Sequence, residues 1–198
     1  MAVDFRTSET SLNLMRAFAG ESQAKSRYTI FAEISRDELL PVIEYLFQYT
    51  AAQEGEHARL FYNYLAEFSG EMLPVDGDYP VNISLSVPEL LRMAQHTEYE
   101  EYDMIYSGYG QVAEEEGFPD IAYSFRMVAE IERYHGDRFG KFADLMETDR
   151  LFTSPYETVW TCLNCGHIYR GTDVPPTCPV CHRVRGFYIR LDMAPFQD

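Results

Sequence analysis

Two stretches of this 198-residue chain place apolar side chains at alternating steps of four and three residues, the spacing of one face of an α-helix. They cover residues 43–68 and 121–146. A stripe of this kind predicts an amphipathic helix whose apolar face enters a protein core. Each stripe is interrupted near its middle by a Glu-x-x-His pair, which puts acidic side chains on the face that should be buried. The pairs are Glu54 with His57 and Glu132 with His135.

Start and stop signals divide residues 1–153 into four predicted helices. A segment of about 17 residues, rich in turn formers, separates the second helix from the third, whereas the other two links are short. The third helix opens with Ser86-Val-Pro-Glu89, a predicted capping box. Short links suit antiparallel neighbours and a long link can cross a bundle, so we expect an all-α four-helix bundle with one long crossover. The predicted helices run over Ser8–Ser35, Pro41–Phe68, Ser86–Gly117 and Pro119–Glu147.

The other two helices also carry carboxylates on the faces that should be buried. Helix one has Glu21, and helix three has both Glu98 and Glu101. Five carboxylates in an apolar core would each cost several kcal/mol to desolvate unless cations neutralised them. Bound metal ions are the simplest remedy. The stripes that contain these carboxylates are Leu14, Phe18, Ala24 and Tyr28 on helix one, and Leu91, Ala94, Ile105 and Val112 on helix three.

The spacing of the carboxylates indicates a two-metal site. Glu21 precedes Glu54 by 33 residues, and Glu98 precedes Glu132 by 34. Two similar helical hairpins would therefore bring their ligands to one centre. The i, i+3 spacing within each Glu-x-x-His pair places both side chains on one side of a helix, and oxygen-rich ligation with two imidazoles favours iron or manganese. Glu101 is one carboxylate more than this minimal pattern requires.

Two Cys-x-x-Cys pairs, separated by 12 residues, predict a second metal site in residues 154–198. This pattern is typical of one tetrahedral four-thiolate site, and spacing alone does not separate zinc from iron. A segment of this size has too small a core to fold alone, so we expect a metal-stabilised β/loop domain. His167 and His182 lie beside the pairs, but four cysteines complete the shell and we expect both at the surface. The ligands are Cys162, Cys165, Cys178 and Cys181, and the predicted core aromatics are Trp160, Tyr169 and Phe187.

The net charge excludes several classes of partner. The chain has 32 Asp and Glu against 16 Lys and Arg, a formal charge of −16. This acidic excess repels phosphate backbones and anionic lipids, which argues against binding to nucleic acid or to a membrane surface. No run approaches the roughly 18 apolar residues of a membrane span. The N-terminus has no basic region followed by an apolar stretch, so we expect a cytoplasmic protein.

Five short segments follow one another along the chain: Ala17-Phe-Ala-Gly-Glu-Ser-Gln-Ala24 with Arg27-Tyr28, Glu54-Gly-Glu-His57-Ala58, Ala113-Glu-Glu-Glu-Gly-Phe118, Glu132-Arg-Tyr-His135 and Val159-Trp-x-Cys162-x-x-Cys165-Gly. Taken in this order, they resemble the segments of one family, the rubrerythrins, over nearly the whole chain. The resemblance implies a ferritin-like four-helix bundle with a diiron site over residues 1–153. It also implies a rubredoxin-like domain with a four-cysteine iron over residues 154–198.

The resemblance also implies a role for each polar residue of the bundle core. In the family, two glutamates bridge the irons, one glutamate binds the first iron, and a glutamate and a histidine bind the second. A histidine and a further glutamate exchange as ligand to the first iron between the reduced and oxidised states, and two tyrosines hydrogen-bond near the cluster. In the same order, the corresponding residues are Glu54 and Glu132; Glu21; Glu98 and His135; His57 and Glu101; and Tyr28 and Tyr106.

The function implied by the resemblance is that of a non-haem diiron peroxidase, which reduces hydrogen peroxide to water and protects against oxidative stress. Electrons would pass through the rubredoxin-like iron from an external donor such as rubredoxin or an NAD(P)H-dependent reductase. The family forms homodimers, so we expect a homodimer or a higher homo-oligomer. Arg183, Arg185 and Arg190 form a basic patch with two interpretations: it docks on the acidic bundle of a partner subunit, or its arginines are simply solvated.

Two other functions fit the same residues. In the first, the diiron site reacts mainly with dioxygen or with ferrous iron, which would make the protein an oxidase or a ferroxidase. In the second, zinc or manganese replaces iron and the protein is a redox-silent structural or binding module. The electron-transfer domain argues against iron storage, because a ferroxidase takes its electrons from the incoming iron.

Overall fold

The computed structural model describes residues 3–195 as a helical bundle followed by a small sheet. Helix α1 packs along α2, and α3 and α4 pack along α5, so the fold is the predicted four-helix bundle. No helix within residues 3–195 has both the length and the apolar character needed to cross a bilayer. The helices are α1 (Glu9–Asp37), α2 (Pro41–Tyr64), α3 (Val87–Glu100), α4 (Tyr106–Glu116) and α5 (Pro119–Glu147), and the strands are β1 (Thr153–Cys162), β2 (Ile168–Asp173) and β3 (Tyr188–Arg190).

The helix ends follow the sequence signals at most positions. The Ser8 hydroxyl accepts a hydrogen bond from the Ser11 N–H and caps α1, and a proline begins both α2 and α5. Gly117 ends α4 with a φ of 93°, a left-handed conformation that glycine adopts without a Cβ clash. The second predicted helix is shorter than expected, because α2 stops at Tyr64 and a 3₁₀ turn covers Ala66–Phe68.

The predicted capping box at the start of α3 is wrong. The Ser86 side chain makes no capping hydrogen bond. One of its two usual N–H partners is missing, because proline occupies the second position of the helix. The Ser84 hydroxyl binds both residues of the predicted box instead. It accepts a hydrogen bond from the Ser86 N–H at 2.9 Å and donates one to the Glu89 carboxylate at 2.7 Å.

A π-helical turn over Glu101–Ile105 separates α3 from α4. A π turn holds one residue more than an α turn, so the face that points inward moves one position along the chain. The predicted core positions Ile105 and Val112 are therefore wrong: Ile105 is 38% exposed and Val112 is only half-buried. Tyr106 and Ala113, one residue later in each case, are buried in their place.

The bundle core consists of two apolar clusters separated along its length. The first contains Phe31, Phe47 and the Tyr28 ring, whose centroid lies 5.2 Å from that of Phe139. The second is built around Phe61, whose ring stacks on Phe125 at 4.9 Å. These aromatic layers enclose the middle of the bundle, where the polar stripe residues lie. The predicted crossover joins α2 to α3 as an extended segment without helix or strand over residues 72–84, and Tyr79 in it donates a hydrogen bond to the Arg16 carbonyl at 3.0 Å.

The sheet has the strand order β2-β1-β3, and both pairings are antiparallel. Trp160 in the central strand is fully buried and pairs with Tyr169 and Arg190 on either side. Tyr169 and Phe187 pack at the edge of this core, as expected, but its centre also contains Tyr188, which the sequence pattern does not single out. His182 is exposed, and His167 is half-buried with Nδ1 2.9 Å from the Tyr188 hydroxyl.

The sheet packs against the bundle near the start of α2. Ile189 belongs to the same core cluster as Phe31 and Phe47, and the Phe187 ring lies 6.2 Å from that of Tyr45. At Gly186 the backbones come so close that a Cβ there would lie 2.1 Å from the Leu39 carbonyl oxygen. The two parts therefore share an interface that only glycine permits at this position.

Two arginines of the predicted basic patch bind to other residues of the same C-terminal part of the chain. Arg185 forms an ion pair with Asp173 at 2.6 Å. Arg190 donates a hydrogen bond to the Thr153 carbonyl at 3.2 Å and lies over the Trp160 ring. Arg183 is the exposed member of the three. Much of the patch charge is thus already engaged within the domain.

We expect Gly186→Ala to loosen the sheet from the bundle by about 1–3 kcal/mol, because the carbonyl at Leu39 leaves no space for a methyl group. Hydrogen exchange of the metal-loaded protein should become faster at the start of α2 and in β3. Gly108→Ala is the matched control, because a Cβ there meets no atom within 4 Å and alanine favours the helix. Unchanged exchange in Gly186→Ala would contradict this packing argument.

Candidate metal centre

Six of the seven polar side chains predicted for the bundle site converge between the two aromatic clusters. Their ligand atoms form two groups, and within each group all the atoms lie within 4.8 Å of one another. Glu54 and Glu132 belong to both groups. The first group is Glu21, Glu54, His57 and Glu132, and the second is Glu54, Glu98, Glu132 and His135.

The two shared glutamates lie between the two histidines. Nδ1 of His57 is 3.0 Å from Oε2 of Glu54 and 2.9 Å from Oε1 of Glu132. Nδ1 of His135 is 3.1 Å from the other Glu54 oxygen and 2.8 Å from the other Glu132 oxygen. Each shared carboxylate therefore turns one oxygen towards each group. This is the geometry of two bridging ligands.

One further carboxylate completes each group. Oε2 of Glu21 lies 3.8 Å from Nδ1 of His57, and Oε2 of Glu98 lies 3.5 Å from Nδ1 of His135. Tyrosines bind the outer oxygens of both: Tyr106 donates to Oε1 of Glu21, and Tyr28 donates to Oε1 of Glu98. With one oxygen held by a phenol, each carboxylate directs its second oxygen to the centre.

The donor atoms fit a pair of cations. Eight buried oxygen and nitrogen atoms of the six side chains make no hydrogen bond, and they are the atoms that face the centre. Buried carboxylate oxygens without hydrogen bonds are strongly destabilising unless a cation compensates them. Three carboxylates and one imidazole in each group form the oxygen-rich set, with some nitrogen, that suits iron.

Glu101 lies outside both groups. It comes from the π turn, is 7% exposed, and has none of its atoms in either set. Burial, followed by the charges of Glu98 and Glu21, raises the pKa of the Glu101 carboxyl well above its usual range. The structure thus holds His57 in the first group and keeps Glu101 beside the site as an additional buried carboxyl.

Burial and mutual repulsion determine where protons reside in the metal-free cluster. Burial raises the pKa of Glu21 to about 7 and raises that of Glu132 well above its usual range. Burial opposes the charge on His135, but the Glu132 and Glu54 carboxylates beside the ring outweigh burial and raise the pKa of His135 to about 12. The metal-free site therefore holds protons on both carboxyl and imidazole groups at neutral pH.

The four cysteines form the second site. Sγ of Cys162 lies 3.8 Å from Sγ of Cys181, and Sγ of Cys165 lies 3.8 Å from Sγ of Cys178. A disulfide requires about 2 Å, whereas the edge of a tetrahedron with metal–sulfur bonds of about 2.3 Å is about 3.8 Å. The geometry therefore matches one four-thiolate metal site, and no histidine belongs to it within residues 3–195.

The two cysteine loops have the same backbone shape. The Gly166 N–H donates to the Cys162 carbonyl at 2.8 Å, and the His182 N–H donates to the Cys178 carbonyl at 2.9 Å. Gly166 and His182 both have positive φ, of 74° and 57°. His182 thus takes the position in the second loop that glycine takes in the first, a backbone role that a ligand-spacing argument does not show.

Comparison with known sequences matches both parts of the chain. The family model described as Rubrerythrin matches residues 13–143, and the one described as Rubrerythrin, rubredoxin-like domain matches residues 160–187. The chain belongs to the rubrerythrin family. Rubrerythrins are iron-dependent oxidoreductases, so the carboxylate–histidine centre is a diiron-type site and the four cysteines form a rubredoxin-like iron site.

Individual rubrerythrins are similar over almost their whole length. The rubrerythrin of Clostridium perfringens is 38% identical over 181 residues, which cover 91% of this chain and 93% of that protein. The rubrerythrin of Porphyromonas gingivalis is 37% identical and covers 95% of this chain and 92% of its own length. A solved structure of partially reduced nigerythrin matches with a TM-score of 0.63 and 28% identity, over 96% of this chain and 88% of that one.

We expect metal binding to the metal-free rubrerythrin to release protons and to strengthen as pH rises through about 7, the pKa of Glu21. Iron needs ionised carboxylates and neutral imidazoles, so it must displace the protons that burial and pairing hold there. Anaerobic titration with ferrous iron, followed with a pH indicator, measures both effects. Affinity that is constant with pH, without proton release, would show that the ligands are already deprotonated.

Proposed function

We propose that this rubrerythrin is a non-haem diiron peroxidase that reduces hydrogen peroxide to water and thereby protects against oxidative stress. The observation that carries the proposal is the pair of ligand groups sharing Glu54 and Glu132, in the same chain as a four-thiolate site. Reduction of one peroxide takes two electrons and two protons and yields two waters. Two iron ions at the shared carboxylates, when bound, supply the two electrons in one encounter.

We assign the ligands as the geometry groups them. Glu54 and Glu132 would be shared by both irons, Glu21 and His57 would hold one iron, and Glu98 and His135 would hold the other. Glu101 would take the place of His57 as a ligand to ferric iron, because it is buried beside the site and a charged oxygen ligand favours ferric iron. Tyr28 and Tyr106 hold the terminal carboxylates in place. Residues 1–153 would form the diiron domain and residues 154–198 the mononuclear iron domain.

The protein part of the mechanism is to keep the site dry and the ligands fixed. The aromatic clusters around Phe139 and Phe125 cover the centre from both ends of the bundle. His135 is 1% exposed and His57 is 8% exposed, so a small molecule would reach the centre on the His57 side. Exclusion of water strengthens every electrostatic interaction between the carboxylates and what they bind.

Electrons would enter through the four-cysteine iron. Thiolate ligation suits one-electron transfer, and burial of Cys162 and Cys178 would tune the reduction potential of the iron that they hold. The external donor would be rubredoxin or an NAD(P)H-dependent reductase, and the protein would act as a homodimer or a higher homo-oligomer. A reducing compartment such as the cytoplasm suits four cysteines that are all free of disulfides.

The test is a stopped-flow experiment on the iron-loaded, fully reduced protein, mixed anaerobically with hydrogen peroxide and, in parallel, with dioxygen. We expect the ferric-thiolate colour to return rapidly under peroxide and much more slowly under dioxygen. Faster return under dioxygen, or consumption of ferrous iron in preference to peroxide, would favour the oxidase or ferroxidase function. No return of colour with iron in both sites would show that the two centres do not exchange electrons.

A cysteine variant separates the roles of the two iron sites. We expect Cys165→Ser to abolish the four-thiolate site while the reduced bundle still consumes one peroxide per diiron centre. Steady-state turnover with an external donor should be lost, since electrons no longer reach the bundle. Peroxide consumption is measured in a single turnover and in steady state, with Cys165→Ser and wild type compared at equal diiron content. Full steady-state activity in the variant would contradict the proposed electron route.

A further inference from the structure

The centre has a polar neighbour outside its ligand set. Gln53 lies on α2 immediately before Glu54, and its side-chain oxygen is 3.2 Å from Nε2 of His135. Arg138, one turn after His135 on α5, directs Nη1 to the same oxygen at 3.5 Å. The Arg138 guanidinium lies over the Tyr49 ring, 5.3 Å from its centroid. A contact between α2 and α5 is thus built around the outer nitrogen of His135.

The hydrogen-bonding capacity of these groups determines which atom donates. A guanidinium has donors and no acceptor, so the Gln53 atom that faces Arg138 must be the amide oxygen. An amide oxygen only accepts, so Nε2 of His135 must carry the proton. The lone pair of a neutral His135 ring is then on Nδ1, the nitrogen that lies 2.8–3.5 Å from the carboxylate oxygens of the centre.

We propose that Gln53, itself oriented by Arg138, is a positioning residue that fixes the tautomer and the ring orientation of His135 and so presents Nδ1 to the metal. This inference rests on the ligand set proposed above and is independent of the reaction. Partners that orient a ligating imidazole from outside typically change metal affinity about 10- to 100-fold when removed. Gln53 would act on the His135 side alone.

For the other histidine, the described residues 3–195 offer no such partner. None of their side chains hydrogen-bonds to Nε2 of His57, whereas its Nδ1 faces the same shared carboxylates as that of His135. The two halves of the centre therefore differ in how firmly their imidazoles are held. Gln53 makes His135 the fixed ligand, and the half with His57 and the nearby Glu101 is left free to rearrange.

The test measures metal binding without peroxide or an electron donor, so it is separate from the proposed peroxidase activity. Cobalt(II) is titrated anaerobically into metal-free Gln53→Leu, which has no acceptor, and into Gln53→Glu, which keeps one. Gln48→Leu is the matched control: Gln48 is an exposed glutamine on the same helix, and its side-chain amide donates a hydrogen bond to Glu44. Proton NMR of the cobalt protein then follows the exchangeable imidazole N–H signals.

We expect Gln53→Leu to weaken one of the two bundle cobalt equivalents by about 10- to 100-fold and to leave the other unchanged. Its slowly exchanging imidazole N–H signal, present in the wild type, should disappear. Gln53→Glu should restore both, and Gln48→Leu should match the wild type. Wild-type affinities together with a persistent slow N–H signal in Gln53→Leu would overturn the proposal. Equal weakening of both equivalents in a folded Gln53→Leu would overturn it too, since Gln53 would then not act on the His135 side alone.

A second variant keeps the proposal testable if Gln53→Leu does not fold. Arg138→Met removes the guanidinium that faces the Gln53 amide oxygen but leaves the amide in place, with its nitrogen donating to the Tyr49 hydroxyl at 3.4 Å. We expect the slow His135 N–H signal to exchange faster in this variant, while both cobalt ions still bind. An unchanged exchange rate would show that Arg138 does not orient Gln53.

Discussion

The structure depends on carboxylates that are buried in an apolar bundle and are neutralised there by cations. Burial of an uncompensated carboxylate is opposed by several kcal/mol, and four of them converge with two imidazoles between the Phe139 and Phe125 clusters. The atoms that face the centre make no hydrogen bonds, whereas the outer oxygens of Glu21 and Glu98 accept from tyrosines. Iron is thus both the cofactor and the counter-charge that this core requires.

The π turn shows how a local backbone irregularity serves the site. One additional residue in the turn that begins at Glu101 lets this carboxyl and the Tyr106 phenol both face the core, which a regular α-helix places on different faces. Tyr106 then reaches Glu21 on α1. A helix that is irregular at this point therefore carries three polar side chains at the centre: Glu98 before the π turn, Glu101 in it and Tyr106 after it.

The centre is nearly symmetric in its ligands and asymmetric in its support. Glu54 and Glu132 offer one oxygen to each side, in keeping with the similar spacing of the two helical hairpins. Of the two histidines, it is His135 that Gln53 contacts, and Glu101, the buried carboxyl beside the site, has no counterpart in the other hairpin. The half that contains His135 therefore has a support from α2 that the half with His57 lacks within residues 3–195.

The sequence by itself determined the helices, the glutamates and histidines that converge in the bundle, and the separate four-cysteine site, because periodicity, Glu-x-x-His spacing and Cys-x-x-Cys spacing are local features. It placed Ile105 and Val112 in the core wrongly, since a π turn changes the helical phase without a distinct residue pattern. Only the tertiary structure decided that Gly186 meets Leu39, that Tyr188 fills the sheet core, and that Gln53 meets His135. These contacts join residues far apart in the chain, and their geometry arises only when the helices and the sheet pack together.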